Sequence, residues 1–218
     1  MKKDAILILS GGIDSVTMLY EYKESIALAV SFDYGANHNS KELPMAGFHC
    51  KKLGIPHIII PLGFMADYFK SSLLSGAEAI PEGHYADENM KSTVVPFRNG
   101  IMLSIAIGLA ESNDLHQVMM ANHGGDHAVY PDCRPEFVAA IDAASQAGTY
   151  EHVRVVTPYT NLTKTDIVKK GLSFGIDYKK TWSCYKGEDI HCGCCGTCVE
   201  RKEAFAEAGI PDPTEYKQ

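Results

Sequence analysis

Six consecutive residues, Ser10-Gly11-Gly12-Ile13-Asp14-Ser15, carry the groups that a polyphosphate needs. Two glycines let backbone N–H groups approach an anion with no Cβ in the way. Ser10, Asp14 and Ser15 add hydroxyls and a carboxylate, which can cap a helix or bind phosphate and its Mg2+. No Gly-Lys-Ser/Thr follows and the spacing is not G-x-G-x-x-G, so two familiar nucleotide loops are excluded. A second concentration of chemistry lies further on: of seven cysteines, at 50, 133, 184, 192, 194, 195 and 198, five fall within fifteen residues. Cys184, Cys192, Cys195 and Cys198 have the spacing of close turns that present four thiolates to one tetrahedral centre, which marks structural zinc. An iron–sulfur cluster uses similar turns, but Val199-Glu200-Arg201-Lys202 follows Cys198 where a Cys-Pro continuation is customary. Cys194 is an alternative ligand in place of Cys192 or Cys195, although spacing favours the first set.

Polar residues at three further places invite a ligand. Arg98 and Asn99 open an apolar helix, where the helix dipole disfavours a cation, so Arg98 is expected to be held there for a carboxylate or phosphate. Residues 122–134 crowd polar groups after an apolar run. Asp126 and Asp132 suit the N–H groups of a guanine-like amidine edge. His123 and His127 stand at i, i+4, but the glycines between them argue against a helical metal pair. Thr163 and Asp166 form a capping-box pattern, which puts Lys164 near a helix N-terminus, a position that favours contact with phosphate.

These groups need a frame that brings them together. Apolar runs at 5–9, 26–32, 57–60, 117–121 and 153–157 read as strands. Between and after them, 16–22, 40–53, 101–111, 135–146, the stretch begun by Thr163 and 199–208 read as helices, with Gly54 and Pro56 stopping the second. Residues 61–96 are a long excursion covering the site, with a short helix in 65–74. The alternation predicts an α/β fold, an open parallel five-stranded sheet with helices on both faces and the ligand crevice at the strands' carboxyl ends. Asp33 and Tyr34 end the second strand at that crevice. A single domain, 1–218, is expected, with 182–210 as a zinc-binding subregion.

At 218 residues, 45% apolar and 22% charged, the composition is that of an ordinary globular protein. A formal net charge of −7 argues against a broad nucleic-acid surface and for a small substrate. Neither a run of eighteen apolar residues nor signal-peptide features are found, so no membrane partner and a cytoplasmic location are expected.

The loop Ser-Gly-Gly-x-Asp-Ser resembles the signature of the PP-loop ATP pyrophosphatases, which cleave ATP between its α and β phosphates to adenylate a substrate oxygen. Taken with Phe97-Arg98-Asn99, Tyr130-Pro131-Asp132-Cys133-Arg134-Pro135-Glu136-Phe137 and the four spaced cysteines, it makes the whole chain similar to the 7-cyano-7-deazaguanine synthase family. The resemblance implies an adenine nucleotide alpha hydrolase-like fold, ATP, Mg2+ and Zn2+ as cofactors, and a homodimer. It implies conversion of 7-carboxy-7-deazaguanine and ammonia to the nitrile in queuosine precursor biosynthesis, by adenylation first of the carboxylate and then of the amide. Ser10, Gly11, Gly12, Ile13, Asp14 and Ser15 would bind ATP. Asp14, Ser15, Arg98 and Lys164 would serve catalysis, Arg98, Asn99, Asp126, Tyr130 and Asp132 the substrate, and Cys184, Cys192, Cys195 and Cys198 the metal.

The chain departs from the family wording in two places. Where Gln-Arg-His is common after the second strand, it has Ala36-Asn37-His38 and one residue more before Lys41-Glu42-Leu43, so His38, Lys41 or another group must replace the arginine. Residues 122–129 also differ, which bears on Asp126. Two other functions fit parts of the pattern. A PP-loop tRNA thiolase would need a reactive cysteine, with Cys133 as its candidate, and a basic RNA surface. A non-catalytic, zinc-stabilised adenine-nucleotide sensor would need only the loop and the cysteines.

Overall fold

The computed structural model describes residues 3–84 and 87–217. Met1 and Lys2, part of the start read as free of a signal peptide, lie outside the described residues. Five strands, β1 (Ala5–Ile8), β2 (Ile26–Asp33), β3 (His57–Pro61), β4 (Gln117–Met119) and β5 (Arg154–Val156), form one sheet in the order β3-β2-β1-β4-β5. Every pairing is parallel, with Leu7 of β1 opposite Ala29 on one side and Met119 on the other. β1 is central, and its period-2 alternation feeds two cores. Ala5, Leu7 and Leu9 enter the core beneath α1 (Ile13–Glu21), α2 (Asn39–Leu53), α6 (Lys164–Ser173) and α7 (Gly196–Ala208). Ile6 enters the opposite core with Val30, Val118 and Val155, under α3 (Phe64–Tyr68), α4 (Arg98–Ser112) and α5 (Pro135–Gly148). The helices therefore lie on both faces, as expected. Each fully buried Leu or Ile contributes about 1.5–3 kcal/mol, which is why this strand is apolar throughout.

The sheet order reverses between β1 and β4, so the connections leaving those two strands diverge and open a crevice at their carboxyl ends. Everything predicted to do chemistry lies on segments that leave the sheet at this edge or pack against it.

Some elements differ from the sequence expectation. The first helix begins at Ile13 rather than 16, because the loop is tight enough for the Val16 N–H to reach the Gly12 carbonyl at 3.1 Å. The expected helix in 65–74 is only Phe64–Tyr68, after which Phe69 is extended and the Ser71 hydroxyl accepts the Leu73 N–H. Strands β4 and β5 are each three residues long, since Met120 already belongs to a loop lining the crevice and Thr157 to a turn in which its carbonyl accepts the Thr160 N–H. The capping box is present: Thr163 Oγ1 accepts the Asp166 N–H at 3.1 Å and Asp166 Oδ2 accepts the Thr163 N–H at 3.0 Å. Residues Asn89–Ser112 are apolar enough over a length that could cross a membrane, but the helical path breaks between Thr93 and Arg98. What remains, α4, has 15 residues, short of the roughly 20 a bilayer requires, and Leu103, Ala106 and Ala110 pack into the core.

Candidate active site

The loop after β1 is held by its own hydroxyls. Ser15 Oγ accepts the N–H groups of Ser10 and Gly11 at 3.2 and 3.4 Å and lies 3.0 Å from Ser10 Oγ. Gly11 has φ of +102°, and a Cβ there would fall 2.3 Å from the Glu42 carbonyl oxygen. Its own carbonyl accepts the Trp182 N–H at 3.1 Å, so Gly11 is clamped between α2 and the cysteine segment rather than open to the crevice. Gly12 does line the crevice, as the N-cap of α1, and no side chain among the described residues caps that helix. Ser10, Asp14 and Ser15 thus leave the α1 amides uncapped, a helix terminus suited to an anion.

Lys164 crosses the crevice to this loop. Its Nζ lies 2.6 Å from Asp14 Oδ2 and 3.3 Å from Glu200 Oε2. Burial works against its charge, but Asp14, Glu200 and Asp126 outweigh it and hold the ammonium well above its ordinary range. The anions that make a lysine tolerable at the start of α6 are therefore carboxylates of the chain itself. Asp126 sits in a 3-10 turn, Gly124–Ala128, where its Oδ2 accepts the His123 N–H at 3.0 Å. His123 Nδ1 accepts the Gly125 N–H at 3.1 Å, which leaves the proton of the neutral ring on Nε2. That Nε2 lies 3.6 Å from both Asp126 Oδ1 and Glu200 Oε1. Asp14 Oδ1 and His123 Nε2 are buried and make no hydrogen bond among the described residues. Three carboxylates around one ammonium, with unused buried atoms facing inward, suit a divalent cation and a phosphate chain.

A second polar cluster lies in the same crevice beneath α4. Phe97, before that helix, adopts φ of +52°, a left-handed conformation that costs a non-glycine residue on the order of 1–3 kcal/mol. Its ring packs edge-on to Phe137 and across Gly100, and this bend delivers Arg98 into the crevice. Arg98 donates to the Tyr34 hydroxyl at 3.1 Å and lies over the Tyr34 and Tyr130 rings at 5.5 and 5.9 Å. Among the described residues no carboxylate comes within ion-pair distance of it. Tyr130 itself is buried, with its hydroxyl 3.0 Å from Thr93 Oγ1 and 2.9 Å from the Tyr185 hydroxyl.

Asp132 has a different duty from the one the sequence suggests. Its Oδ2 accepts the Asn99 N–H at 2.8 Å, so it closes the N-terminus of α4, and it does not line the crevice. Asn99 reaches back with its Nδ2 to Cys133 Sγ at 3.1 Å. As for the missing arginine, Asn37 turns away toward the Ser72 carbonyl and Lys41 pairs with Asp189 at 3.0 Å. His38 is the residue that lines the crevice. Its Nε2 lies 3.3 Å from the Tyr34 hydroxyl and 3.7 Å from Glu42 Oε2, and burial pushes the ring down to about 4. Burial likewise pushes Glu42 up to about 8, against the pull of Arg98.

The sulfurs of Cys184, Cys192, Cys195 and Cys198 are buried and lie within 4.8 Å of one another. Cys192 and Cys198 are 3.9 Å apart, close to the roughly 3.8 Å separation that tetrahedral zinc–sulfur bonds impose. The chemistry and spacing fit structural zinc. Cys194 points the other way, 3.1 Å from Glu82 and 3.7 Å from Lys186, so it is not a member of the set. The same segment forms a wall of the crevice, contributing Trp182, Ser183, Tyr185, Thr197 and Glu200. Cys133 is 4% exposed, and burial together with Asp126 and Asp132 pushes its thiol well up, so it is not a poised nucleophile.

Glu42, Tyr185 and Glu200 line the crevice beyond the residues read from the sequence as its candidates. Two of them had a local signal. Glu42 stands four residues after His38 across a helix start, and Glu200 follows Cys198 by two residues on the helix the cysteines begin. Tyr185 had none.

A family model described as "Queuosine biosynthesis protein QueC" matches residues 4–209. A 7-cyano-7-deazaguanine synthase of Porphyromonas gingivalis is 59% identical over 216 residues, covering 99% of this chain and 98% of the relative. One from Desulfotalea psychrophila is 51% identical over 215 residues, covering 98% of each. In fold, the chain is similar to an NMN synthetase of Francisella tularensis, with a TM-score of 0.56 at 12% identity, covering 96% of this chain and 78% of the other.

Proposed function

From the premise that this chain belongs to the queuosine biosynthesis protein family QueC, the 7-cyano-7-deazaguanine synthases, we propose that its crevice activates 7-carboxy-7-deazaguanine twice with ATP. The observation that carries this reading is the pairing, in one crevice, of the uncapped loop and Lys164–Asp14 cluster with an arginine that has no carboxylate partner among the described residues. A carboxylate resists ammonia because oxide would have to leave. Adenylation supplies a better leaving group, and ammonia then gives the amide with release of AMP. A second adenylation, on the amide oxygen, lets that oxygen depart as AMP while nitrogen loses its protons and the nitrile forms. No protein nucleophile is needed, and the buried Cys133 thiol counts against a thiolase.

The chain's own groups then have distinct tasks. Ser10, Gly12, Ile13 and Ser15 shape the phosphate cradle, with Gly11 setting its backbone. Lys164, held between Asp14 and Glu200, neutralises charge developing on pyrophosphate. Asp14 and Asp126 would hold Mg2+, which supplies Lewis acidity and alignment of the phosphates. Arg98, Asn99 and Tyr130 face the substrate. Asp132 supports them by capping α4. Zinc on the four thiolates would fix the wall that carries Tyr185 and Glu200. A homodimer, ammonia as second substrate and a cytoplasmic setting complete the proposal.

The test is incubation of zinc-loaded protein with 7-carboxy-7-deazaguanine, ATP, Mg2+ and ammonium, followed by mass analysis. The nitrile is expected from wild type and not from Asp14→Ala. Its absence with folded wild type refutes the synthase reading, and leaves a nucleotide sensor in its place.

A further inference from the structure

In the cluster beneath α4, buried and half-buried groups of complementary bonding demand line the crevice without satisfying one another. Glu42 has a side chain only 15% exposed, yet among the described residues its carboxyl accepts no hydrogen bond, and His38 Nε2 lies 3.7 Å from its Oε2. His38 Nδ1 is buried with no hydrogen-bond partner among the described residues. Arg98 has no carboxylate within ion-pair distance among the described residues. The Glu42 oxygens open onto the crevice, where the N–H groups of a ligand can reach them. The surroundings are Tyr34, Tyr130 and Tyr185, a surface that suits a flat ring.

A ligand that satisfies this cluster must present N–H donors on one edge and an anion elsewhere, on a planar body. Resting on the synthase reading above, we infer that Glu42 accepts the N–H groups of the deazapurine's amidine edge while Arg98 takes its carboxylate, making Glu42 the residue that selects for the 2-amino group. The two aspartates that the sequence offered for this edge are otherwise engaged. Asp132 caps α4, and Asp126 caps its own turn beside Lys164. The carboxyl that burial pushes up to about 8 ionises readily once two N–H groups point at it. The amidine edge is the same in the acid and in the amide intermediate. Glu42 therefore keeps the ring in one place while the phosphate end is emptied of AMP and reloaded.

The experiment compares 7-carboxy-7-deazaguanine with its analogue lacking the 2-amino group, in wild type, Glu42→Gln and Glu42→Asp. Wild type is expected to prefer the full substrate in kcat/KM by about 10- to 100-fold. Glu42→Gln should raise KM for the full substrate by a similar factor, change the analogue little, and leave KM for ATP unaltered. Glu42→Asp, which keeps a carboxylate, should restore part of the preference, and thermal melting checks that both variants are folded. An unchanged preference in Glu42→Gln overturns the inference, as does a rise confined to KM for ATP, which would put the cluster at the nucleotide base. Wild type that converts neither compound refutes the synthase reading itself, and this inference with it.

Discussion

Replacing Gly11 and Gly12 one at a time by alanine separates two reasons for a glycine pair in this loop. At Gly11 the backbone has φ of +102°, and a Cβ would meet the Glu42 carbonyl oxygen at 2.3 Å and the Ala46 nitrogen at 3.1 Å. Left-handed strain costs about 1–2 kcal/mol in an L-residue, and overpacking against fixed backbone adds about 1–3 kcal/mol. Gly11→Ala should therefore destabilise the protein by about 2–5 kcal/mol, or about 5–15 °C in Tm for a chain of this size. At Gly12 φ is −79°, and an added Cβ meets only the Ser10 Oγ and Trp182 carbonyl oxygen, both at 3.4 Å. Gly12→Ala should melt within about 0.5 kcal/mol of wild type, because nothing must move. It should nevertheless raise KM for ATP by about tenfold, since the methyl group stands where the phosphates approach α1. Urea unfolding and steady-state kinetics on the pair decide the matter. A Gly11→Ala protein as stable as wild type, or a Gly12→Ala protein as destabilised as Gly11→Ala, would refute the division of labour.

Other variants read other parts of the site. Lys164→Ala should lower kcat by about 100- to 1,000-fold, measured as pyrophosphate release, because the charge-neutralising group is lost and Asp14 and Glu200 are left unpaired. Asp132→Ala should cost about 1–2 kcal/mol in urea unfolding as the α4 terminus loses its cap, and Asp132→Asn, which keeps an acceptor, should cost less. Cys192→Ser should abolish bound zinc by atomic absorption and lower Tm by about 10 °C or more, whereas Cys194→Ser should keep full zinc content. For Glu42, the folded carboxyl titrates at about 8 and the unfolded one at 4.5, so between those values the folded state holds the extra proton and stability falls as pH rises. Glu42→Gln removes that loss. Its stability relative to wild type should climb from pH 4.5 to 8 and level off, while the opposite slope from the depressed His38 is common to both proteins and cancels.

The frame of this site was legible because it is written in local patterns. β1 alternates into two cores, the capping box at Thr163 and Asp166 forms as spelled, and the four cysteines converge at their spacing. What stayed hidden depends on partners far away in the chain. Lys164 is explained by Asp14, 150 residues earlier, and by Glu200 on the cysteine helix. Asp132 looked like a base-reading carboxylate because the sequence does not say which way a side chain turns, and it turns to an amide 33 residues back. His38 was one candidate for the place of the missing arginine, and Glu42 was visible only as a glutamate four residues further along a helix start. That the Glu42 carboxyl accepts no hydrogen bond among the described residues, which makes it informative, is a property of the assembled crevice.

On the proposed function, one crevice adenylates the same molecule twice, first as an acid and then as its amide. The most direct test of this is the count of nucleotide products per nitrile in a single reaction with limiting 7-carboxy-7-deazaguanine. Two AMP and two pyrophosphate for each nitrile, with the amide appearing and then disappearing, is the predicted result. One AMP per nitrile, or ADP in place of AMP, would contradict it.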